Sequence, residues 1–182
     1  MSDFLVRGDW SELDPQTYDL NGIEAERQYR KLILIASESS APLAVRQAMN
    51  SVFNNIYAEG YPNENTRRMT QSDILDYEVR LAHYRRYGVP RYYKGVEYAD
   101  TVEALARRRC AELFANDLVT ADDMFVNVQP LSGGPANNAV YHALVQPGDT
   151  VMGMNLLHGG HLSHGARVNR SGKYYHSVSY GI

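Results

Sequence analysis

Apolar positions along the chain recur first at helical spacing and only later at strand spacing. Gly22 to Leu34 forms one amphipathic helical pattern, and a second starts at Pro42 and runs through Val45, Ala48, Met49, Val52 and Phe53. Between them, Ile35-Ala-Ser-Glu-Ser-Ser-Ala-Pro42 is crowded with side chains suited to turns and helix caps. After a loop at Tyr57 to Pro62, a third helix is predicted from Ser72 to Tyr87 on Ile74, Leu75, Tyr77, Val79, Leu81 and Tyr84, stopped by Gly88 and Pro90. A fourth runs from Tyr98 to Ala115. The β-formers Phe125, Val126 and Val128 then predict a buried strand, followed by a glycine turn and a helix through Ala139, Val140, Ala143 and Leu144. Pro147-Gly148-Asp149 ends that helix. Thr150 to Met154 gives a second strand and Lys173 to Ser179 a strand-like segment, so the order implies a right-handed βαβ crossover in a mainly parallel sheet, an α/β fold.

The clearest chemistry lies at the glycine turn. Ser132 is a good N-cap, Gly133 and Gly134 allow close backbone approach, and Pro135 suits a first helical turn. Unpaired N–H groups and the helix dipole there favour an anion over Ser132 to Ala136. The run fits neither G-x-x-x-x-G-K-[ST] nor G-x-G-x-x-G, so a small phosphorylated cofactor suits it better than a dinucleotide. An ordinary strand–turn–helix joint accounts for the same residues. Ligands of parallel sheets sit at the carboxyl ends of strands, and the loop Asn155 to Gly165 also follows a strand, so two segments converge on one rim. That second loop holds half of the six histidines. His158, His161 and His164 are three apart, but glycines flank them and no Cys, Asp or Glu accompanies them. Stacking on an aromatic cofactor or proton transfer fits better than a metal, and none is expected.

Composition narrows the partners. A content of 44% hydrophobic residues and a net charge of −3 describe a soluble globular protein. The runs Arg67-Arg68, Arg85-Arg86 and Arg107-Arg108-Arg109 are short and interleaved with acids, so nucleic-acid binding is not expected. Cys110 is the single cysteine and reads as a small core residue. Met1 to Asp19 lacks the marks of a signal peptide and no apolar run approaches a membrane span, so a cytoplasmic protein is expected.

Five motifs occur in order: Ala36-Ser-Glu38, Tyr57-Ala-Glu-Gly-Tyr-Pro62, Arg91-Tyr-Tyr93, Asn127-Val-Gln-Pro130 and His158-Gly-Gly-His-Leu-Ser-His-Gly165. Together they resemble the amino-terminal portion of the serine hydroxymethyltransferase family. The resemblance implies a fold-type-I enzyme dependent on pyridoxal 5′-phosphate, with a large α/β domain, a small carboxy-terminal domain and active sites built between two subunits. Residues 1–56 would be the amino-terminal arm and 57–182 part of the large domain, with the small domain absent. By the same resemblance Ser37 helps hold the amino-acid carboxylate, and Tyr57, Glu59 and Tyr93 act beside the substrate, with Glu59 handling protons. Ser132, Gly133 and Gly134 meet the cofactor phosphate, Asn137 lies close by, His161 stacks on the pyridine ring, and His164 is a further active-site histidine. Leu156, Gly159, Gly160 and Leu162 line the site of tetrahydrofolate, the one-carbon carrier in serine–glycine interconversion.

Departures from the family pattern qualify this picture. Gly134 stands where the family places a second phosphate-binding hydroxyl, at a cost of about 1 kcal/mol for one hydrogen bond. Residues 63–90 are inserted between Pro62 and Arg91, and their apolar positions favour docking over free motion. None of Lys31, Lys94 and Lys173 has the setting of the family's cofactor-bearing lysine. A second polypeptide carrying the carboxy-terminal half is therefore expected to supply it, in a dimer of such assemblies, and this chain alone is expected to be inactive. The alternatives are a pyridoxal-dependent aldolase or transaldolase without folate, and a noncatalytic interaction partner.

Overall fold

A computed structural model describes residues 8–88 and 90–182. The first seven residues of the expected arm, and Val89 of the 63–90 segment, lie outside the described residues. The chain divides into two units, Met1–Asn55 and Ile56–Ile182.

The first unit is helical. Helix α1 (Trp10–Leu13) is capped by Asp9, and α2 (Pro15–Arg30) by Asp14, whose carboxylate accepts from the Thr17 N–H. Helix α2 starts seven residues before the expected Gly22, because an Asp N-cap followed by Pro at the first helical position is a stronger start than apolar spacing. It ends at Arg30, leaving Leu32 and Leu34 outside the helix. Helix α3 (Leu43–Met49) is shorter than expected: the Asn54 side chain donates to the Met49 carbonyl at 2.9 Å, and Val52–Asn55 forms a separate 3-10 turn. None of the described residues in this unit is buried, so it has no core of its own.

The second unit is organised around α6 (Glu97–Phe114), whose buried residues Asp100, Ala104, Arg107 and Ala111 form one stripe at helical spacing. The 63–90 segment packs on it. Following a 3-10 turn at Glu64–Arg68 come α4 (Gln71–Leu75), started by a Thr70–Asp73 capping box, and α5 (Tyr77–Tyr87), ended by Gly88. The single helix expected over 72–87 is broken at Asp76, which leaves helical geometry to accept hydrogen bonds from the Glu78 and Val79 N–H groups. Ile74 is fully buried, whereas Leu75 is exposed and Tyr84 half-buried. The core is small and rich in cations. Ile74, Val96, Ala104 and Ala111 share it with buried Arg80, Arg91 and Arg107. The Arg67 and Arg107 guanidinium groups both lie against the Phe125 ring, at 5.3 and 5.2 Å from its centroid. Cys110 is half-buried, not fully in the core.

The sheet has one described pair, β1 (Thr150–Met154) and β2 (His176–Tyr180), parallel and in register from Thr150 opposite His176 to Met154 opposite Tyr180. Their connection contains a 3-10 turn at Leu156–His158 and the short helix α8 (Arg170–Tyr174). The strand expected over Phe125 to Val128 does not form. Those residues run without a ladder partner, and Phe125 is exposed and held by arginine stacking, because strand propensity cannot supply the neighbour a strand needs. The parallel pairing therefore falls between β1 and β2, with α7 (Gly133–Leu144) ahead of both. No helix among the described residues is long and apolar enough to cross a membrane.

Candidate functional site

Arg91 anchors the loop from Tyr57 to Pro62. Arg91, 4% exposed, donates to the carbonyls of Ala58 and Gly60 at 2.6 and 2.7 Å, to Asp100 Oδ1 at 2.5 Å and to Glu103 Oε2 at 2.5 Å. Asp100 and Glu103 are one turn apart on α6, so the helix presents both carboxylates to one guanidinium. Burial works against the Arg91 charge, yet the hydrogen bonds to Glu103 and Asp100 outweigh it and hold the guanidinium above its ordinary value; burial pushes the Asp100 carboxyl up. Gly60 has φ +99°, and a Cβ there would sit 3.1 Å from Arg91 Cα, so the close approach requires glycine.

The loop turns its candidate side chains outward. The exposed Tyr57 hydroxyl donates to Glu59 Oε2 at 3.1 Å, and the Tyr57 and Tyr93 rings meet edge to face at 5.0 Å. The hydrogen bond to Glu59, and then its charge, hold the Tyr57 phenol above its ordinary value. Glu59→Gln is accordingly expected to lower the Tyr57 pKa toward the ordinary phenol value of about 10, read by ultraviolet difference titration against a Tyr57→Phe control. An unchanged Tyr57 titration would break the link between the two groups.

A second tie runs from the loop toward α7. Gln129 Nε2 donates to the Gly60 carbonyl at 2.7 Å and to Glu103 Oε1 at 3.0 Å, while Asn127 Nδ2 reaches the Tyr61 hydroxyl at 3.3 Å. Three residues beyond Gln129, Ser132 occupies the N-cap position of α7. Its hydroxyl makes no capping bond, and a Cβ added at Gly133 or Gly134 would meet nothing within 4 Å. The helix thus opens on free backbone donors, an uncommitted hydroxyl and clear space.

The loop after β1 returns to the same helix. Asn155 caps the Leu156–His158 turn, and Gly160 passes so close to β1 that a Cβ would fall 1.9 Å from the Met154 carbonyl oxygen. Asn137 on α7 donates to Ser163 Oγ at 2.7 Å and lies 3.2 Å from His164 Nε2; Ser163 Oγ is 2.7 Å from His161 Nδ1. The His161 and His164 rings are 5.5 Å apart. His158 is drawn elsewhere and accepts from the Ile182 N–H at 3.0 Å, so the three evenly spaced histidines do not converge. No group of three His, Cys, Asp or Glu among the described residues could hold a metal ion. Leu156, Gly159 and Leu162 are exposed on this loop.

Asn137, His161 and His164 are therefore brought together, as are Tyr57, Glu59 and Tyr93. Ser37 belongs to the first unit, in an exposed turn closed by the Glu38 N–H and the Ile35 carbonyl at 3.0 Å. Sequence reasoning missed Asp100, Glu103, Gln129 and Ser163. The acid pair at i, i+3 on α6 behind Arg91-Tyr-Tyr93 was the available signal for the first two.

An α/β domain with an open helix-start cradle, a histidine loop tied to the cradle helix, and a tyrosine–carboxylate loop clamped beside it defines the chain's class. The family model described as serine hydroxymethyltransferase matches residues 10–87 and 82–182. Similar proteins include the serine hydroxymethyltransferases of Bifidobacterium longum subsp. infantis, 43% identical over 171 residues (94% of this chain, 32% of the relative), and of Nitratiruptor sp., 45% identical over 169 residues (93% and 33%). That of Sulfurovum sp. is 44% identical over 169 residues, with the same coverage of 93% and 33%. The chain belongs to the serine hydroxymethyltransferase family, and it spans about a third of the length of these relatives.

Proposed function

We propose that this chain forms the amino-terminal arm and first half of the large domain of a fold-type-I, pyridoxal 5′-phosphate-dependent enzyme interconverting serine and glycine, with tetrahydrofolate as one-carbon carrier. The observation that carries the reading is the Gln129 bridge, which ties the Glu59 loop to the segment entering α7. The residues at that helix start fit a phosphate: the Ser132 hydroxyl is uncommitted, and the space over Gly133 and Gly134 is clear. The cofactor supplies an electron sink for the substrate carbon. Ser132, Gly133 and Gly134 would hold its phosphate, and His161, oriented by Ser163, would hold its ring. Asn137 and His164 border the same space. Ser37 and Tyr93 bind the amino-acid substrate, and Glu59, in hydrogen-bond contact with Tyr57, gives and takes the proton at the substrate hydroxyl. Leu156, Gly159, Gly160 and Leu162 line the folate side. The lysine that holds the cofactor comes from the rest of the assembly, whether continuous with this chain or a second polypeptide, and the assembly works as a dimer. The uncovered apolar residues of the arm, among them Leu20, Ile23 and Val45, support a larger assembly. We place it in the cytoplasm.

The test is visible absorbance and activity of the natively isolated protein. The reading expects a cofactor band bleached by borohydride and tetrahydrofolate-dependent conversion of serine to glycine. A colourless protein that remains so with added pyridoxal phosphate and its complementary half would overturn it. Gly134→Ser tests the cradle separately. The added hydroxyl has room and replaces a helix-weakening glycine, so cofactor affinity in the complete enzyme is expected to rise roughly fivefold, about 1 kcal/mol for one hydrogen bond. Unchanged or weaker affinity in a spectroscopic titration would place the phosphate elsewhere.

A further inference from the structure

Ser163 is a small polar residue, 1% exposed, between two exposed histidines. Its backbone N–H lies 3.2 Å from His161 Nδ1. A backbone amide can only donate, so Nδ1 accepts and the His161 ring proton sits on Nε2. The Ser163 hydroxyl, 2.7 Å from the same Nδ1, places its single proton there. Toward Asn137, at 2.7 Å, Ser163 Oγ is then an acceptor, and this fixes the amide. An Asn137 carbonyl oxygen in that position would set two acceptors competing for one hydroxyl proton, so the NH2 group faces Ser163. The same NH2 group lies 3.2 Å from His164 Nε2, which therefore accepts, leaving the His164 ring proton on Nδ1.

We infer that Ser163 and Asn137 are positioning residues that set opposite tautomers on the two site histidines, Nε2–H on His161 and Nδ1–H on His164. One buried amide N–H fixes the direction of the whole chain of donors. His161 thus carries an N–H donor on the nitrogen not engaged by Ser163, suited to an anionic oxygen of a ligand, where the other tautomer would offer a repelling lone pair. The tautomers follow from the hydrogen bonds alone; their use beside a pyridoxal ring rests on the function proposed above.

Long-range proton–nitrogen correlation spectra of the natively isolated protein, labelled with 15N in its histidine rings, test this without added cofactor and above the ordinary imidazole titration range. His161→Gln and His164→Gln assign the signals. The expected pattern is protonated Nε2 on His161 and protonated Nδ1 on His164. Asn137→Asp exchanges a donor for an acceptor and is expected to reverse His164 to Nε2–H while His161 keeps its tautomer. Ser163→Ala keeps the backbone N–H and is expected to leave His161 in its single tautomer, while loss of the hydroxyl that orients the Asn137 amide turns His164 into a mixture. The same tautomer on both rings of the unaltered protein, or a His164 signal that Asn137→Asp leaves in place, overturns the relay; should the variants unfold, the unaltered protein decides alone. Cofactor binding is read separately by absorbance, so failure of the relay and failure of the proposed function are distinguishable.

Discussion

Glu59→Gln is expected to lower serine–glycine turnover of the complete enzyme by roughly two to four orders of magnitude, the range contributed by a positioned acid or base. The substitution keeps the shape and removes the charge together with the ability to exchange a proton. The surrounding geometry should survive it. Arg91 holds the loop through the carbonyls of Ala58 and Gly60 on either side of Glu59, so the Glu59 side chain takes no part in fixing the backbone. Tyr57 keeps an acceptor in the amide oxygen. Cofactor absorbance and unfolding temperature are therefore expected to change little while turnover collapses. Turnover near that of the unaltered enzyme would remove Glu59 from its role, and loss of the absorbance band together with turnover would make it a structural residue.

How far the sequence could be read depends on the range of the interactions involved. Helix α6 was legible because its buried stripe is local and periodic, and β1 because Pro147-Gly148-Asp149 marks its start. The break at Asp76 was not, because apolar spacing continues through it and hides a capping residue that ends one helix to begin another. The start of α2 was readable in Asp14-Pro15, a stronger signal than the apolar spacing that begins at Gly22. The segment from Phe125 to Val128 shows a different limit: its composition suits a strand, while its Phe125 ring is engaged with two arginines and its backbone has no ladder. At the site, the motifs marked the outward-facing residues. The residues that hold them were hidden, since Gln129 acts on Gly60 from 69 positions away and Ser163 on Asn137 from 26. Such contacts leave no periodic trace.

Arg91→Ala is expected to cost roughly 3–5 kcal/mol of folding stability, the range for removing one partner of a buried ion pair. Arg91 and Asp100 side chains are 2% and 3% exposed and Glu103 13%, so the loss leaves two carboxylates desolvated and the Ala58 and Gly60 carbonyls without their donor. Arg91→Lys should recover only part of the loss, because one ammonium cannot span the four acceptors that the guanidinium fork reaches. The pH dependence gives a sharper check. Burial already raises the Asp100 carboxyl in the folded state, and removing the cation raises it further. A carboxyl raised on folding contributes stability below its unfolded pKa and loses it as pH rises through the folded value. The gap in stability between the unaltered protein and Arg91→Ala should therefore be widest near neutral pH and narrow on acidification, as Asp100 takes up its proton. Denaturant unfolding of both proteins across this range measures it. A gap that is constant with pH would mean that Arg91 acts through packing and not as the counter-charge that clamps the Glu59 loop to α6.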